Sequence, residues 1–474
     1  MPPRWALGYI QSKFGYRNEK ETIGVVNELR EKGFPIDAIV LDLFWYGDFS
    51  TMGNLDWDAT NWQNPTKMMD DFNKKGVKTV LITEPYIARN SNNFRLADTD
   101  WRIFATRPDN NQSYIYNHFG NNVGLIDIFN PRAQSFLWDN YKRLANQGVG
   151  GWWTDKIEPD NHPIDAVHVA GNAVQVHNLY PLVWHKNLFE NYRKDFPTQR
   201  LFNLTRSGYA GSQRFGALPW SGDVARVWNG LKLQIPIMVQ SGMTGFAYMH
   251  SDTGGFWTVP GNKDKDEELD IRWLQFSVFS PIVRPHGERS STEPYDYSQP
   301  FYDISKNYLN IRYKLLPYLY TLSWQNSTMG RPICMPMDYF EFNKEYGNIS
   351  DQYFFGENMV VSPVLLHGQP VRRTILPKGK WFSFWTNEVF EGNGKVFENL
   401  TFNHIPVYAK AGGIIPLASS AKLSTEYYTS DSLTVKFFQD ISVPSSRFTM
   451  YHDDGKDPDA LQNKRYELID FTGK

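Results

Sequence analysis

The sequence predicts an α/β chain: an enlarged (β/α)8 TIM barrel followed by a C-terminal antiparallel β-sandwich. Three observations predict it. Short apolar runs alternate with helical periodicity about eight times over roughly the first 330 residues. Several of these runs end in a carboxylate, which is where a barrel of parallel strands carries its chemistry. From about Gly330 the helical period gives way to short β runs between Gly, Pro and Asn turns. A doubly wound open sheet is the alternative for the first part, but no glycine-rich phosphate loop begins one.

Residues 6–12 read as the first strand, and residues 20–33 as a helix with Ile23, Val26 and Leu29 on one face and Gly33 as its stop. Ala38 to Trp45 is almost continuously apolar, as in a parallel strand buried on both faces. Asp42 interrupts it near its end, where a charge is better explained by a ligand than by the core. Residues 66–76 form a helix, and the strand from Lys78 ends in Thr83-Glu84-Pro85-Tyr86. Residues 87–122 lose periodicity and are too long for an ordinary βα loop, so they read as an excursion over the barrel mouth. A helix over 131–149 leads into Gly150-Gly151-Trp152-Trp153-Thr154-Asp155, and Pro159 stops regular pairing there. Helices are expected near 177–195, 226–243, 268–279 and 308–322, and strands at 200–205, before Asp223, at 245–249 and at 282–287. Residues 331–420 then read as a proximal β-sandwich, and 421–474 as the start of a distal β domain that is cut short.

At 474 residues the chain needs two or three domains, and 41% hydrophobic residues can build their cores. A net charge of -2 gives no reason to expect a nucleic-acid or anionic-membrane partner. No apolar run approaches the roughly 18 residues of a membrane span. The single cysteine, Cys334, rules out an internal disulfide. The start, Met1-Pro2-Pro3-Arg4-Trp5, has no secretory apolar region. It fixes no compartment, and a periplasmic or secreted setting is the expectation. No His-Glu-x-x-His spacing occurs, and Asp453-Asp454-Gly455-Lys456-Asp457 lacks the glutamate a calcium loop carries at its twelfth place. Neither a metal nor any other cofactor is expected. The aromatic share, 16%, is high. Most such rings belong to cores, but their faces also stack on sugar rings.

Asp155 has a counterpart in Ala217-Leu218-Pro219-Trp220-Ser221-Gly222-Asp223. Each Asp alone reads equally as a helix cap or a loop ion pair. Two of them on two strand ends of one barrel are what a glycosidase uses. Trp153-Thr154-Asp155 with Glu158, Arg206, Trp220-Ser221-Gly222-Asp223, His250-Ser251-Asp252-Thr253-Gly254-Gly255-Phe256 and Arg284-Pro285-His286-Gly287 together resemble glycoside hydrolase family 31. The resemblance runs over roughly residues 5–420.

The resemblance implies Asp155 as nucleophile and Asp223 as general acid/base of a retaining mechanism. It implies that Asp42 holds the outer hydroxyls of the terminal sugar and that Arg206 and His286 bind hydroxyls around the nucleophile. Trp153 and Trp220 would wall the sugar pocket, Phe44 would lie beside Asp42, and Asp252 would support the site as sugar contact or loop brace. Glu158 is expected behind the catalytic pair, and Arg214 as an anchor of the Asp223 loop. The expected activity is that of an exo-acting α-glucosidase on short α-glucans, with oligosaccharide as the partner. The alternatives are a 4-α-glucosyltransferase, an α-xylosidase and a non-catalytic oligosaccharide-binding barrel. Members of the family usually carry an N-terminal β-sandwich ahead of the barrel, and the resemblance implies such a domain, expected to lie outside these residues, as a further partner. Lys156-Ile157 after the nucleophile also departs from the commonest family wording.

Overall fold

Six parallel strands lie side by side in chain order in the computed structural model: Ile10–Gln11, Ala38–Leu41, Lys78–Thr83, Gly151–Thr154, Asn203–Thr205 and Ala217–Pro219. The structure describes residues 1–262, 265–288 and 291–474. Single parallel bridges complete the circuit, from Trp220 to His250, from Thr253 to Pro285, and from Val283 back to Tyr9. The Ile10 N–H donates to the Val283 carbonyl at 3.1 Å, so the last strand lies against the first. The sheet is therefore closed into a barrel and is not an open doubly wound layer.

Helices Glu19–Glu31, Pro65–Lys74, Pro131–Gln147, Tyr180–Asp195, Trp228–Met243 and Glu267–Val278 cover its outside. Their ends follow local chemistry. Asn18 accepts from the Glu21 N–H at 2.8 Å and Asn130 from the Arg132 N–H at 2.9 Å, each satisfying an orphan donor of the first turn. Gly148, at φ +117°, ends the third helix in the left-handed region that a side chain resists. Strand side chains alternate between outside and inside. Trp152 points out, 4.5 Å from the Tyr141 ring of the third helix, whereas Trp153 packs within the barrel against Trp220.

Two expectations change. Residues 245–249 form turns and not a strand, because the Phe246 and Met249 amides are taken locally by the Ser241 and Phe246 carbonyls. Pairing starts only at His250. The helix expected over 308–322 is two helices, Phe301–Lys314 and Leu316–Met329. Pro317 lacks an amide hydrogen and can occupy only the first turn of a new helix.

The excursion after the third strand is a three-stranded antiparallel sheet of Tyr86–Ala88, Asn121–Leu125 and Ile115–His118. Thr106 bridges it to Val167 in the hairpin that follows Asp155. Beyond the barrel, a six-stranded antiparallel sheet faces the pair Val371–Leu376 and Gly394–Asn399. Met335, Phe354, Val360, Trp381 and Tyr408 of the larger sheet pack on Ile375 and Leu376 of the smaller, which makes a sandwich. The segment from 421, where a further β domain was expected to begin, packs back on the foot of the barrel. There Asp453 receives Arg200 Nη2 at 2.5 Å, the Tyr451 hydroxyl at 2.7 Å, the Gly455 N–H at 2.8 Å and the Tyr320 hydroxyl. Those donors occupy Asp453, one of the three carboxylates in the stretch Asp453–Asp457.

Candidate active site

Register brings the polar strand ends together. Thr83 pairs with Thr154, Thr154 with Thr205, and Thr205 with Pro219. The next residue on each strand is Glu84, Asp155, Arg206 and Trp220, and these form one row at the carboxyl end of the barrel. Side-chain alternation turns Asp155 to the same inner face as Trp153.

Asp155 is buried, and its two oxygens face different cations. Arg206 Nε lies 3.6 Å from Oδ1 and Lys156 Nζ lies 3.8 Å from Oδ2. Burial pushes the Asp155 carboxyl up to about 6, against the pull of Lys156 and Arg206, and the Asp223 and Glu158 charges push the same way as burial. Asp223 is exposed, on the loop after Ala217–Pro219. Its charge also reaches Asp252. Gly222 just before it stands at φ +82°, with nothing within 4 Å of where a Cβ would lie.

Arg206 is committed elsewhere. Its guanidinium donates twice to Glu158, with Nε at 2.7 Å, and once to Asp160 at 3.1 Å. Ser207 Oγ donates to the second oxygen of Glu158 at 2.5 Å. Glu158 thus holds Arg206 and makes no contact with Asp155 of the same kind.

Asp42 ends its strand by capping the turn Leu43–Trp45, accepting from the Leu43 N–H at 2.7 Å. Its other oxygen faces His286 Nε2 at 3.6 Å. Burial lifts Asp42 to about 8, with the Glu84 and Asp155 charges adding to it against the Leu43 bond. Burial, with Arg284 nearby, drives His286 well below the ordinary histidine value, so it is neutral. Its ring stacks on Phe256 at 5.2 Å and meets the Trp153 face edge-on at 5.2 Å, while Nδ1 lies 2.6 Å from Ser12 Oγ. Trp153 and Trp220 cross at 5.6 Å and 82°. Phe44 is half-buried and turns toward the first loop, 5.4 Å from Phe14 and beneath the Arg17 guanidinium at 4.0 Å.

Asp252 is ion-paired with Arg284, and Arg284 also lies 5.6 Å over the Trp220 ring. Arg214 is set apart from these groups. It lies just before the start of Ala217–Pro219, beside Met1 and Leu201 in a cavity of about 670 Å³ at the foot of the barrel, its guanidinium over Phe215. The Asp223 loop is at the far end of that strand. Among the described residues no group of His, Cys, Asp and Glu could hold a metal ion.

Sequence reasoning gave no role in the site to four neighbours: Glu84, Lys156, Ser12 and Arg284. Glu84 receives the Tyr46 hydroxyl at 3.0 and 2.8 Å, and burial raises it to about 7. Its strand ends in a carboxylate directly before Pro85, as the strand of Asp155 ends in a carboxylate four residues before Pro159, and that signal was available. The contacts of Ser12 with His286 and of Arg284 with Asp252 exist only once the barrel closes.

Buried side-chain atoms without a protein hydrogen-bond partner gather here: Trp153 Nε1, Asp155 Oδ1, Trp220 Nε1, Asp252 Oδ2 and Arg284 Nη1. Each such atom costs about 1–3 kcal/mol when buried and unpaired. A cluster of them at one site needs a functional explanation.

The same region decides the family. Residues 1–322 match the glycosyl hydrolases family 31 TIM-barrel domain, and residues 328–415 match the family 31 C-terminal domain. The chain belongs to glycoside hydrolase family 31. Its similar relatives within family 31 include an alpha-xylosidase of Saccharolobus solfataricus, 30% identical over 99% of this chain and 62% of that protein. Another is alpha-glucosidase 2 of Bacillus thermoamyloliquefaciens, 28% identical over 96% of this chain and 58% of that protein. The fold also superposes on a family 31 dextranase of Flavobacterium johnsoniae solved with glucose, with a TM-score of 0.94 at 29% identity, covering 100% of this chain and 60% of that one. The chain thus spans about 60% of the length of these relatives.

Proposed function

We propose that the chain is the catalytic part of a retaining exo-acting α-glycoside hydrolase, an α-glucosidase on short α-glucans. The observation that carries this is the setting of Asp155: a buried carboxylate at a barrel strand end, between two cations, within electrostatic reach of Asp223.

In the first half-reaction an Asp155 oxygen attacks the anomeric carbon while Asp223 gives its proton to the departing glycosidic oxygen. The bond to that oxygen breaks as a glycosyl ester forms on Asp155. In the second half Asp223 takes a proton from water, the water oxygen attacks the same carbon, and the Asp155 carboxylate is released. Two inversions leave the configuration retained. The transition state carries positive charge on the sugar. Asp155, Glu158 and Asp160 outnumber Lys156 and Arg206, the two cations that face them among the described residues, so the fixed field favours that charge. Asp42 and His286 are suited to hold the sugar's outer hydroxyls, Trp153 and Trp220 to wall it, and Arg206 and Asp252 to keep the frame rigid.

The α-xylosidase reading is supported by the Saccharolobus relative, with Phe44, two positions after Asp42, as the side chain suited to crowd a hydroxymethyl group. Turnover of aryl α-glucoside and aryl α-xyloside, compared with Asp155→Ala, tests both. Product analysis on maltotriose separates hydrolysis from transfer to a sugar acceptor. Oligosaccharide binding with equal, negligible rates in parent and variant would leave only a binding barrel.

A further inference from the structure

Lys156 stands in the left-handed region at φ +56°, a conformation that disfavours a side chain. Its side chain is 12% exposed. The ammonium lies 3.8 Å from Asp155 Oδ2, 4.5 Å above the Phe119 ring and 5.8 Å from that of Phe49. Those two rings pack on each other at 5.2 Å, so Phe119 from the excursion and Phe49 from the second βα loop make one aromatic wall. A cation over aromatic faces is attracted to them, and more strongly when desolvated. Three elements distant in sequence therefore fix one charge against one oxygen of Asp155.

We propose that Lys156 is a positioning residue that keeps the Asp155 carboxylate charged and aimed, a role that rests on Asp155 being the nucleophile. Arg206 does not suffice for it. Its Nε and Nη2 donate to Glu158 and Asp160, and with Nε 3.6 Å away Asp155 Oδ1 is left without a hydrogen bond. The groups that oppose ionisation of Asp155 are Asp223 and Glu158, with Asp42, Glu84 and Asp252 coupled to it from the neighbouring strands. Tyr46 adds a hydroxyl on the same side. Lys156 also faces Glu84, Asp160 and Asp42, and His118 lies within reach of its charge. Among the cations acting on Asp155, Lys156 has the larger effect.

The test compares kcat/KM against pH for the parent, Lys156→Met and Lys156→Arg on an aryl α-glucoside. Lys156→Met should move the acid limb up by about one pH unit, so its loss is roughly tenfold greater on the acid side than on the plateau. Lys156→Arg should keep the parent limb. An equal loss at every pH, or the same displacement in both variants, overturns the inference and leaves Lys156 a structural ion-pair partner. A carbon-13 carboxyl titration, with the Asp155 signal identified by its absence in Asp155→Asn, reads the same shift without turnover. If the parent hydrolyses no glycoside, a shift there upholds the control of Asp155 by Lys156 while removing the glycosidase reading, and no shift overturns the inference. If Lys156→Met does not fold, Phe119→Ala, at a position 55% exposed, serves instead. It should move the limb the same way by less, and an unmoved limb counts against the proposal.

Discussion

Asp252 and Arg284 form an ion pair with neither side chain exposed to solvent. They come from the seventh and eighth strand positions, whose ladder contacts among the described residues are single bridges. The pair therefore adds a side-chain tie between these two strands to sparse backbone bonds such as that from the Thr253 N–H to the Arg284 carbonyl at 3.0 Å. Removing one partner strands a buried charge, which costs about 3–5 kcal/mol. Arg284→Met should lose stability on that scale in urea, and should raise KM because Arg284 also backs Trp220. A loss under about 1 kcal/mol would show the pair to be dispensable.

Asp155→Ala should cut kcat/KM by on the order of 10⁴-fold, the scale at which a covalent-catalysis residue is felt. Asp223→Ala should cost about 10²–10⁴-fold on poor leaving groups and much less on activated ones. Azide should rescue Asp223→Ala with a β-glycosyl azide as product. Rescue confined to Asp155→Ala would exchange the two roles.

The acid side of the pH profile should report Asp155. Its carboxyl is pushed up to about 6 by burial against Lys156 and Arg206, so kcat/KM should halve near that pH on acidification. A limb near the ordinary aspartate value would mean that another group controls it.

Asp42 should trade stability for function. Its folded value, raised to about 8 by burial, exceeds the unfolded one. A carboxyl of that kind binds its proton more tightly when folded, so its contribution is fullest below the unfolded value and is lost as pH rises through about 8. Asp42→Asn should therefore melt higher than the parent above pH 8, show little gain in mild acid, and be less active throughout. Thermal melts at both ends of that range decide it.

A chain of histidines ties down the hairpin after the nucleophile. Asp127 Oδ1 takes His168 Nδ1 at 3.0 Å, His168 Nε2 meets His162 Nε2 at 2.7 Å, and His162 Nδ1 meets His177 Nδ1 at 3.1 Å. Each contact has one donor and one acceptor when His168 Nδ1, His162 Nε2 and His177 Nδ1 carry the hydrogens. Burial, with His168 and His177 beside it, lowers His162 to about 3. Because the folded value is the lower one, the stability it carries is present above the unfolded histidine value and is lost as pH falls from about 6.5 toward 3. Hydrogen exchange, corrected for intrinsic rate, should show residues 162–177 opening before the barrel on acidification. His162→Asn should flatten that dependence.

Much of the site was legible because a parallel strand end is a local event. Asp42, Asp155, Arg206 and Asp223 each follow a recognisable apolar run, and a charge there has no use in a core. Glu84 was equally legible in form, yet nothing local ranked it with the others. The misread segments share a cause. Residues 245–249 have strand-like composition, but their amides close turns that depend on the preceding helix. Leu309 to Leu322 carries an unbroken apolar pattern, and the break came from Pro317 and the two packing directions around it. Arg214 was assigned from its nearness in sequence to Asp223, and the strand between them places the two at opposite ends of the barrel.

Sequence alone determined the alternation that makes a barrel, the switch to a sandwich near Gly330, and the residue types at the strand ends, because periodicity and turn chemistry are short-range. Only the tertiary structure decided which of those ends share a row, since strand register and closure of Val283 onto Tyr9 set that. It also decided that Lys156 points at Asp155 under an aromatic wall and that Asp453 serves the foot of the barrel. Those arrangements depend on contacts between residues tens to hundreds of positions apart, where no local pattern carries the information.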